Sequence, residues 1–383
     1  MHLLRRVVAV YPPAILAALR ADWVIYAALV IYLCLGALDV ALKSGTIMGA
    51  LDVYMRMGLV TYLVTMPMAL LVLGITRITL RLDRRRRLAY RLMFGPRRIA
   101  RLIAGTVLMV CGLLPFEAMF ASIKSTFLSG GFANEPLAAA IDRFLHFGHA
   151  PSKYLLLFAK SEWVLRAVEY NYDFGWFIIC FGTLYWFAIS PKAERLRLRF
   201  CLSFFAVWVL VGNVVASLFA TAGPAFYGEA LGDTTHYDKL TAFLATSSGS
   251  VASASDEQHY LWTLYAQGIQ GFGSGISAFP SIHVAVVALI AMFATAHNRK
   301  LGIVAWLYVI LVLASSVYLG WHYAIDGYAA LLLTTGIYFG VGALMPAISR
   351  LANWRPRPRA IEDAPVPALA IELAPPAVEV SSA

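Results

Sequence analysis

FPSIHV at 279–284 and YLGWHYAID at 318–326 decide how this chain folds. The first leads into an apolar run that lasts to about residue 296, and the second falls between the runs 301–321 and 324–348. Each stretch places ionisable residues, His283, His322 and Asp326, where an apolar segment begins or ends. A helix needs about 20 apolar residues to cross a bilayer. Working outward, similar runs recur at 23–42, 57–80, 102–120, 174–190 and 200–222, so that with 279–296 eight spans are expected. Transmembrane strands would alternate apolar and polar residues in shorter segments, and these runs do not. The expected fold class is all-α, a polytopic membrane protein. Composition agrees: 60% of the 383 residues are hydrophobic and 14% are charged. The mean hydropathy of +0.72 lies outside the range of ordinary soluble domains.

The net charge of +10 is explained by topology rather than by a nucleic-acid partner. Arginines cluster between spans, in RLDRRRRLAYRLMFGPRRIAR at 81–101, PKAERLRLR at 191–199, HNRK at 297–300 and RLANWRPRPR at 350–359. If the spans alternate, all four clusters fall on one side, and the positive-inside rule makes that side cytoplasmic. Arg5, Arg6 and Arg20 then lie inside as well. The expected location is a bacterial inner (plasma) membrane, with both termini cytoplasmic. Cys34, Cys111, Cys180 and Cys201 all fall in spans, which gives no outer disulfide framework. The N-terminal MHLLRRVVAVYPPAILAALR has the basic start of a signal peptide, yet Pro12 and Pro13 interrupt it and a span follows at once. An amphipathic segment on the inner face is expected there.

Three regions are expected: 1–101, with two accessory spans and the Arg-rich loop; 102–349, with six spans; and 350–383, a basic segment and an irregular Pro- and Ala-rich tail. The loops 121–173 and 223–278 are long and face the side opposite the arginines, and long loops tend to carry function. In the first, PLAAAIDRFLHF and SEWVLRAVEY have helical apolar spacing and are expected as short helices on the outer surface. The second runs from TAGPAFYGEALG through ATSSGSVASAS to GIQGFGSGIS, a composition suited to a loop folded over a site.

His283, His322 and Asp326 thus converge on one membrane face. Ionisable residues in spans are expensive and are functional candidates by default. With a helix starting near Trp321, His322 and Asp326 are expected on one helix surface, four residues apart. The aspartate would then hold one imidazole nitrogen and leave the other free to attack. Pro280 suits a helix's first turn, and helix N-termini favour anions, so Ser281 and its backbone are candidates to hold phosphate oxygens. His283 is the candidate proton donor. HFGH at 146–149 has metal-like spacing but no companion ligands. No metal and no cofactor are expected.

FPSIH followed by SSVYLGWHYAID resembles the second and third motifs of the type 2 phosphatidic acid phosphatase superfamily. There the pattern is Pro-Ser-Gly-His, then Ser-Arg, five residues, His, three residues and Asp. The resemblance implies a six-helix core and metal-free phosphoryl transfer through a phosphohistidine. His322 would attack, Asp326 orient it and His283 act as acid and then base. Three departures stand out: Ser316 replaces an Arg, Ile282 replaces a Gly, and the first motif's Lys, six residues, Arg-Pro maps to 216–224, where Pro224 alone remains. Lys124 and Lys239 are the candidate replacement cations for binding phosphate. GPAFY, FPSIH and HYAID are together more similar to the inositol phosphorylceramide synthase branch, with Pro224, Tyr227 and Tyr323 in the substrate loops. The function this implies is an inositolphosphotransferase-type enzyme moving a phospho-headgroup between lipids at the outer leaflet. Its substrates would be a membrane lipid and an acceptor, either an inositol-type alcohol or water. Two alternatives stay open: a phosphatase acting on phosphatidic acid or polyprenyl (pyro)phosphates, and a transporter on the same scaffold.

Overall fold

The computed structural model describes residues 2–81, 84–127 and 131–351, so the expected tail beyond Leu351 lies outside the described residues. The described chain is all-helical. Helix α1 (His2–Ala21) is followed by α2 (Trp23–Leu42), α3 (Met48–Arg81) and α4 (Pro96–Thr126). After α5 (Glu135–Leu145) and α6 (Pro151–Ala159) come α7 (Glu162–Ile189) and α8 (Pro191–Leu218). Two helices of the second long loop, α9 (Asp238–Leu244) and α10 (Ala254–Gln267), precede α11 (Ile282–His297), α12 (Arg299–Tyr318) and α13 (Ala324–Leu351).

Seven of these helices, α2, α3, α4, α7, α8, α12 and α13, are long and apolar enough to cross a membrane. The remaining expected span, at 279–296, is α11, which has 16 residues and is therefore ~24 Å long, short of a ~30 Å hydrocarbon core. It is the central helix, packed against α7, α8, α12 and α13. Val284, Ala285, Val286, Val287, Ala288, Leu289 and Ala291 are all buried. Small residues on every face let four neighbours approach it, which also explains why its sequence carries no polar stripe.

Three local expectations are corrected. SEWVLRAVEY is not a separate surface helix but the first turns of α7, joined to the span through a π-helical turn at Asn171–Gly175. Pro12 and Pro13 do not interrupt α1, which runs through them as one helix. The α13 helix begins at Ala324 rather than near Trp321, so His322 lies before it.

At the basic end of the bundle, two of the arginines are structural. Arg101 donates to Asp22 at 2.7 Å and to the Ala188 carbonyl at 2.5 Å. Arg197 donates to the Phe187 and Ser190 carbonyls at 2.9 and 2.7 Å. Both are buried. They satisfy helix-terminal carbonyls that have no partner within their own helices and so lock α1, α4, α7 and α8 at one end. The candidate residues lie at the other end of the bundle.

Candidate active site

The Phe279–Pro280 segment delivers the chain to α11. Ser281, fully buried, is its N-cap, and its Oγ accepts from the Val284 N–H at 3.4 Å. The Ser281 N–H donates to the Asp326 carbonyl at 3.2 Å, which ties the start of α11 to the start of α13. His283 is the second residue of α11. Its ring stacks on Tyr172 at 4.4 Å and lies 4.1 Å from the Trp176 ring. Trp176 also donates its indole N–H to the His283 carbonyl at 3.0 Å. The π-helical turn of α7 carries Tyr172, and such turns often re-aim side chains at sites.

Asp326 is fully buried and His322 nearly so. His322 Nδ1 lies 3.3 Å from Asp326 Oδ2, and the same oxygen accepts the Tyr323 N–H at 3.0 Å. Tyr323 immediately precedes the first helical residue, so Asp326 reaches back from the third position of α13, as the acidic member of a capping box does. The helix start therefore fixes the carboxylate that fixes the imidazole. The expected pairing on one helix surface is replaced by this tighter arrangement. With Nδ1 facing Asp326, His322 presents Nε2 away from it. The His283 and His322 rings are 6.3 Å apart and inclined at 58°.

The two rings are close enough to engage one substrate group together. Asp326 Oδ1 and the Tyr172 hydroxyl are buried without hydrogen-bond partners among the described residues.

The other expected site residues divide. Lys124, half-buried near the end of α4, is close enough for its charge to act on His283. Its side-chain stem lies against Gly275, where an added Cβ would be 3.0 Å from Lys124 Cβ. Lys239 is exposed on α9, and no bond or charge interaction among the described residues brings it to the histidines. Tyr323 is consumed structurally, donating its hydroxyl to Glu135 at 2.6 Å. Pro224 is buried in a short 3-10 turn, and Tyr227 stacks on His236 at 4.9 Å. His146 of HFGH is engaged at both nitrogens, donating to the Asp142 carbonyl at 2.6 Å and accepting from the Tyr328 hydroxyl at 3.0 Å.

The sequence gives no warning of Glu135. This fully buried carboxylate at the start of α5 accepts from the Ala222 and Gly223 N–H groups and from Tyr323. Burial pushes its carboxyl up, against the lowering by those three donors. Gly223 has φ +98°, and a Cβ there would lie 2.6 Å from the Trp321 carbonyl, so glycine is required. Asp142, on the same helix, accepts the Ile325 N–H at 3.1 Å. Burial pushes the Asp142 carboxyl up to about 6. The second long loop closes around the histidine, with Ala225 N–H on the Gly320 carbonyl at 2.8 Å and the Gln258 amide on the Leu319 carbonyl at 2.8 Å.

Comparison with known families places this geometry. The model of the PAP2 superfamily matches residues 138–340, more than half of the chain. The chain belongs to the PAP2 superfamily. Membership supports a lipid phosphatase or phosphotransferase type of function acting on a membrane lipid. The matched segment includes His283, His322 and Asp326 but not Lys124 or Glu135. No curated protein and no solved structure matches the chain.

Proposed function

We propose that this PAP2 superfamily member is a lipid phosphotransferase that moves a phospho-headgroup from a phosphodiester lipid to a second alcohol through a phosphohistidine. The observation that carries the reading is the convergence of His283, His322 and Asp326, with the two rings 6.3 Å apart. His322 Nε2 attacks the phosphorus while the bond to the lipid oxygen breaks, and His283 gives that oxygen a proton. The acceptor hydroxyl then loses its proton to His283 and attacks the phosphohistidine, and the P–N bond breaks. Asp326 holds the Nδ1 proton and offsets the charge that develops on the imidazole. The Ser281 N-cap and the helix N-terminus beneath it suit the phosphate oxygens, with Lys124 as the nearby cation. The reaction needs no metal in this reading, because the histidine supplies the nucleophile.

Charge supports a diester over a monoester. The motif positions where the superfamily carries cations hold Ser316 and the uncharged segment 216–223 here, and Ser316 Oγ donates to the Leu313 carbonyl. Phosphoinositol is the headgroup suggested by the similarity to the inositol phosphorylceramide synthase branch. The arginine clusters at the opposite end of the bundle support a site at the outer leaflet. The test is to incubate full-length protein with phosphorus-labelled phosphatidylinositol, quench in base and look for acid-labile label on His322. Label on the wild type, and none on His322→Ala, is expected. Turnover without any labelled intermediate would sink the mechanism.

A further inference from the structure

The first long loop turns its largest apolar side chains outward. Phe144, Phe147 and Phe158 are 84, 91 and 90% exposed, and Leu157 and Trp163 are 72 and 77% exposed. They lie on the hairpin of α5 and α6 and in the first turn of α7. Water is a poor neighbour for so many large apolar groups, and clusters of this kind mark interaction surfaces.

The backbone at the tip of the hairpin is committed to the same display. His146 is the C-cap of α5, and the Gly148 N–H donates to the Arg143 carbonyl at 2.8 Å, the closing bond of a Schellman motif. Phe147 therefore occupies the position after the cap, in the left-handed region with φ +58°. Glycine ordinarily stands there, because a Cβ is crowded in that conformation. An aromatic residue at this point carries a conformational cost, and an exposed ring in water would add a second.

The hairpin lies against two of the apolar helices long enough to cross a membrane. Its α5 packs on α13 and its α6 on α12. His146 accepts from the hydroxyl of Tyr328, the fifth residue of α13 and so ~6 Å inside the start of that helix. Leu332, one turn further along the same face, is exposed. On α12, the Tyr318 hydroxyl donates to the Ala159 carbonyl at 2.7 Å, so the end of α6 caps the outer end of that helix. Leu311, two turns earlier on the face that carries Tyr318, is exposed. The apolar rim of the hairpin thus continues the apolar surfaces that α12 and α13 present to lipid. The other side of α5 is turned inward, where Glu135 accepts from Tyr323 and Asp142 from the Ile325 N–H.

We propose that the α5–α6 hairpin is a membrane-surface anchor, a wedge whose Phe144, Phe147, Leu157 and Phe158 insert among the lipids of the leaflet on the histidine side. The partner is the bilayer itself, since the surface that the wedge extends is already the lipid-facing one. Lys153 and Lys160, both exposed on or beside α6, suit the headgroup level, where long cations reach phosphates while the apolar edge below them is buried. The wedge does not depend on the phosphotransfer reading. Its consequence is that α5, which holds the residues flanking His322, is seated in lipid although its sequence lies outside every span.

The test is nitroxide accessibility in full-length protein reconstituted in phosphatidylcholine nanodiscs. Cys34 and Cys111 are replaced by alanine, and the buried Cys180 and Cys201 are kept. Labels are placed singly at Phe147→Cys and Phe158→Cys, with Leu332→Cys as the lipid-facing control and the exposed Thr234→Cys of the second long loop as the water-facing one. Oxygen concentrates among acyl chains, whereas a nickel chelate stays in water. The ratio of oxygen to nickel collisions at both hairpin positions should exceed that at Thr234→Cys at least threefold, as it should at Leu332→Cys. All four positions are exposed, so the labels should leave the fold intact, which a gel-filtration profile like that of the unlabelled protein checks. A smaller ratio at either hairpin position would overturn the wedge. Shielding from both reagents would also overturn it, because the face would then be covered by protein.

Discussion

Replacing Lys124 by methionine tests how the site manages without the superfamily's cations. Methionine keeps an unbranched apolar stem against Gly275, where an added Cβ already comes within 3.0–3.2 Å of the lysine's stem atoms, so packing is preserved while the charge is deleted. A hydrogen bond to a charged group contributes about 1.5–3 kcal/mol, and each 1.36 kcal/mol is tenfold in rate. Loss of one such bond to the transferred phosphate should lower kcat/KM by roughly 10- to 150-fold. The assay is initial-rate turnover of phosphatidylinositol in mixed vesicles, with Lys160→Ala and the exposed Lys239→Ala as controls expected to stay within twofold. Phosphatidic acid, a monoester that carries up to two charges, should be the poorer substrate under matched conditions. A loss below threefold in Lys124→Met would remove this lysine from the phosphate site. Faster turnover of phosphatidic acid than of phosphatidylinositol would overturn the diester reading and put the phosphatase alternative first.

His322→Ala and His283→Ala should each abolish turnover while leaving the protein membrane-inserted, because the nucleophile and the proton carrier act as a unit; more than a few per cent residual rate in His322→Ala would refute the assignment. Asp326→Asn should retain a small residue of activity, since this group orients and does not react. Activity should survive EDTA, and complete loss with recovery on adding zinc or magnesium would refute a metal-free reaction. Asp142 has a folded-state pKa raised by burial from 3.8 to about 6, so its contribution to stability is complete below about pH 4 and is lost as pH rises through 6; Asp142→Asn, which can still accept the Ile325 N–H, should flatten thermal stability across that window, and an unchanged slope would exclude Asp142 as its source. Reporters fused after Arg98 or Arg195 should read as cytoplasmic and one near Ser250 as extracytoplasmic, and the reverse pattern would place the site on the inner leaflet.

Much of this fold was legible because length and apolarity decide a transmembrane helix almost alone. The boundaries were not: α7 starts at Glu162 rather than near 174 because its first turns, SEWVLRAVEY, lie outside the apolar run while remaining helical. His283, His322 and Asp326 could be found because polar groups beside apolar runs stand out. Lys124 was legible for the same reason, as a cation just past an apolar run. Glu117 carries the same signal, being an ionisable residue inside a span, but no motif surrounds it. Glu135 and Tyr172 gave no signal, since their roles arise from contacts with residues 87 and 111 positions away. Local pattern does not encode such pairings.

The position of Glu135 completes the charge argument. Where the superfamily's first motif ends, the backbone N–H groups of Ala222 and Gly223 are taken by a carboxylate rather than left for a phosphate. The Asp326 charge acts on both Glu135 and Asp142, so three buried carboxyl groups surround a site whose nearby cation is Lys124. Like charges in a low-dielectric region disfavour one another steeply. A dianionic monoester would meet that field with twice the charge of a diester and with fewer compensating donors. The same field favours a phosphoryl group that stays singly charged while bound. The loss of cations from the motifs and the gain of buried carboxylates behind them are thus two parts of one electrostatic arrangement, the one on which the proposed preference for a diester rests.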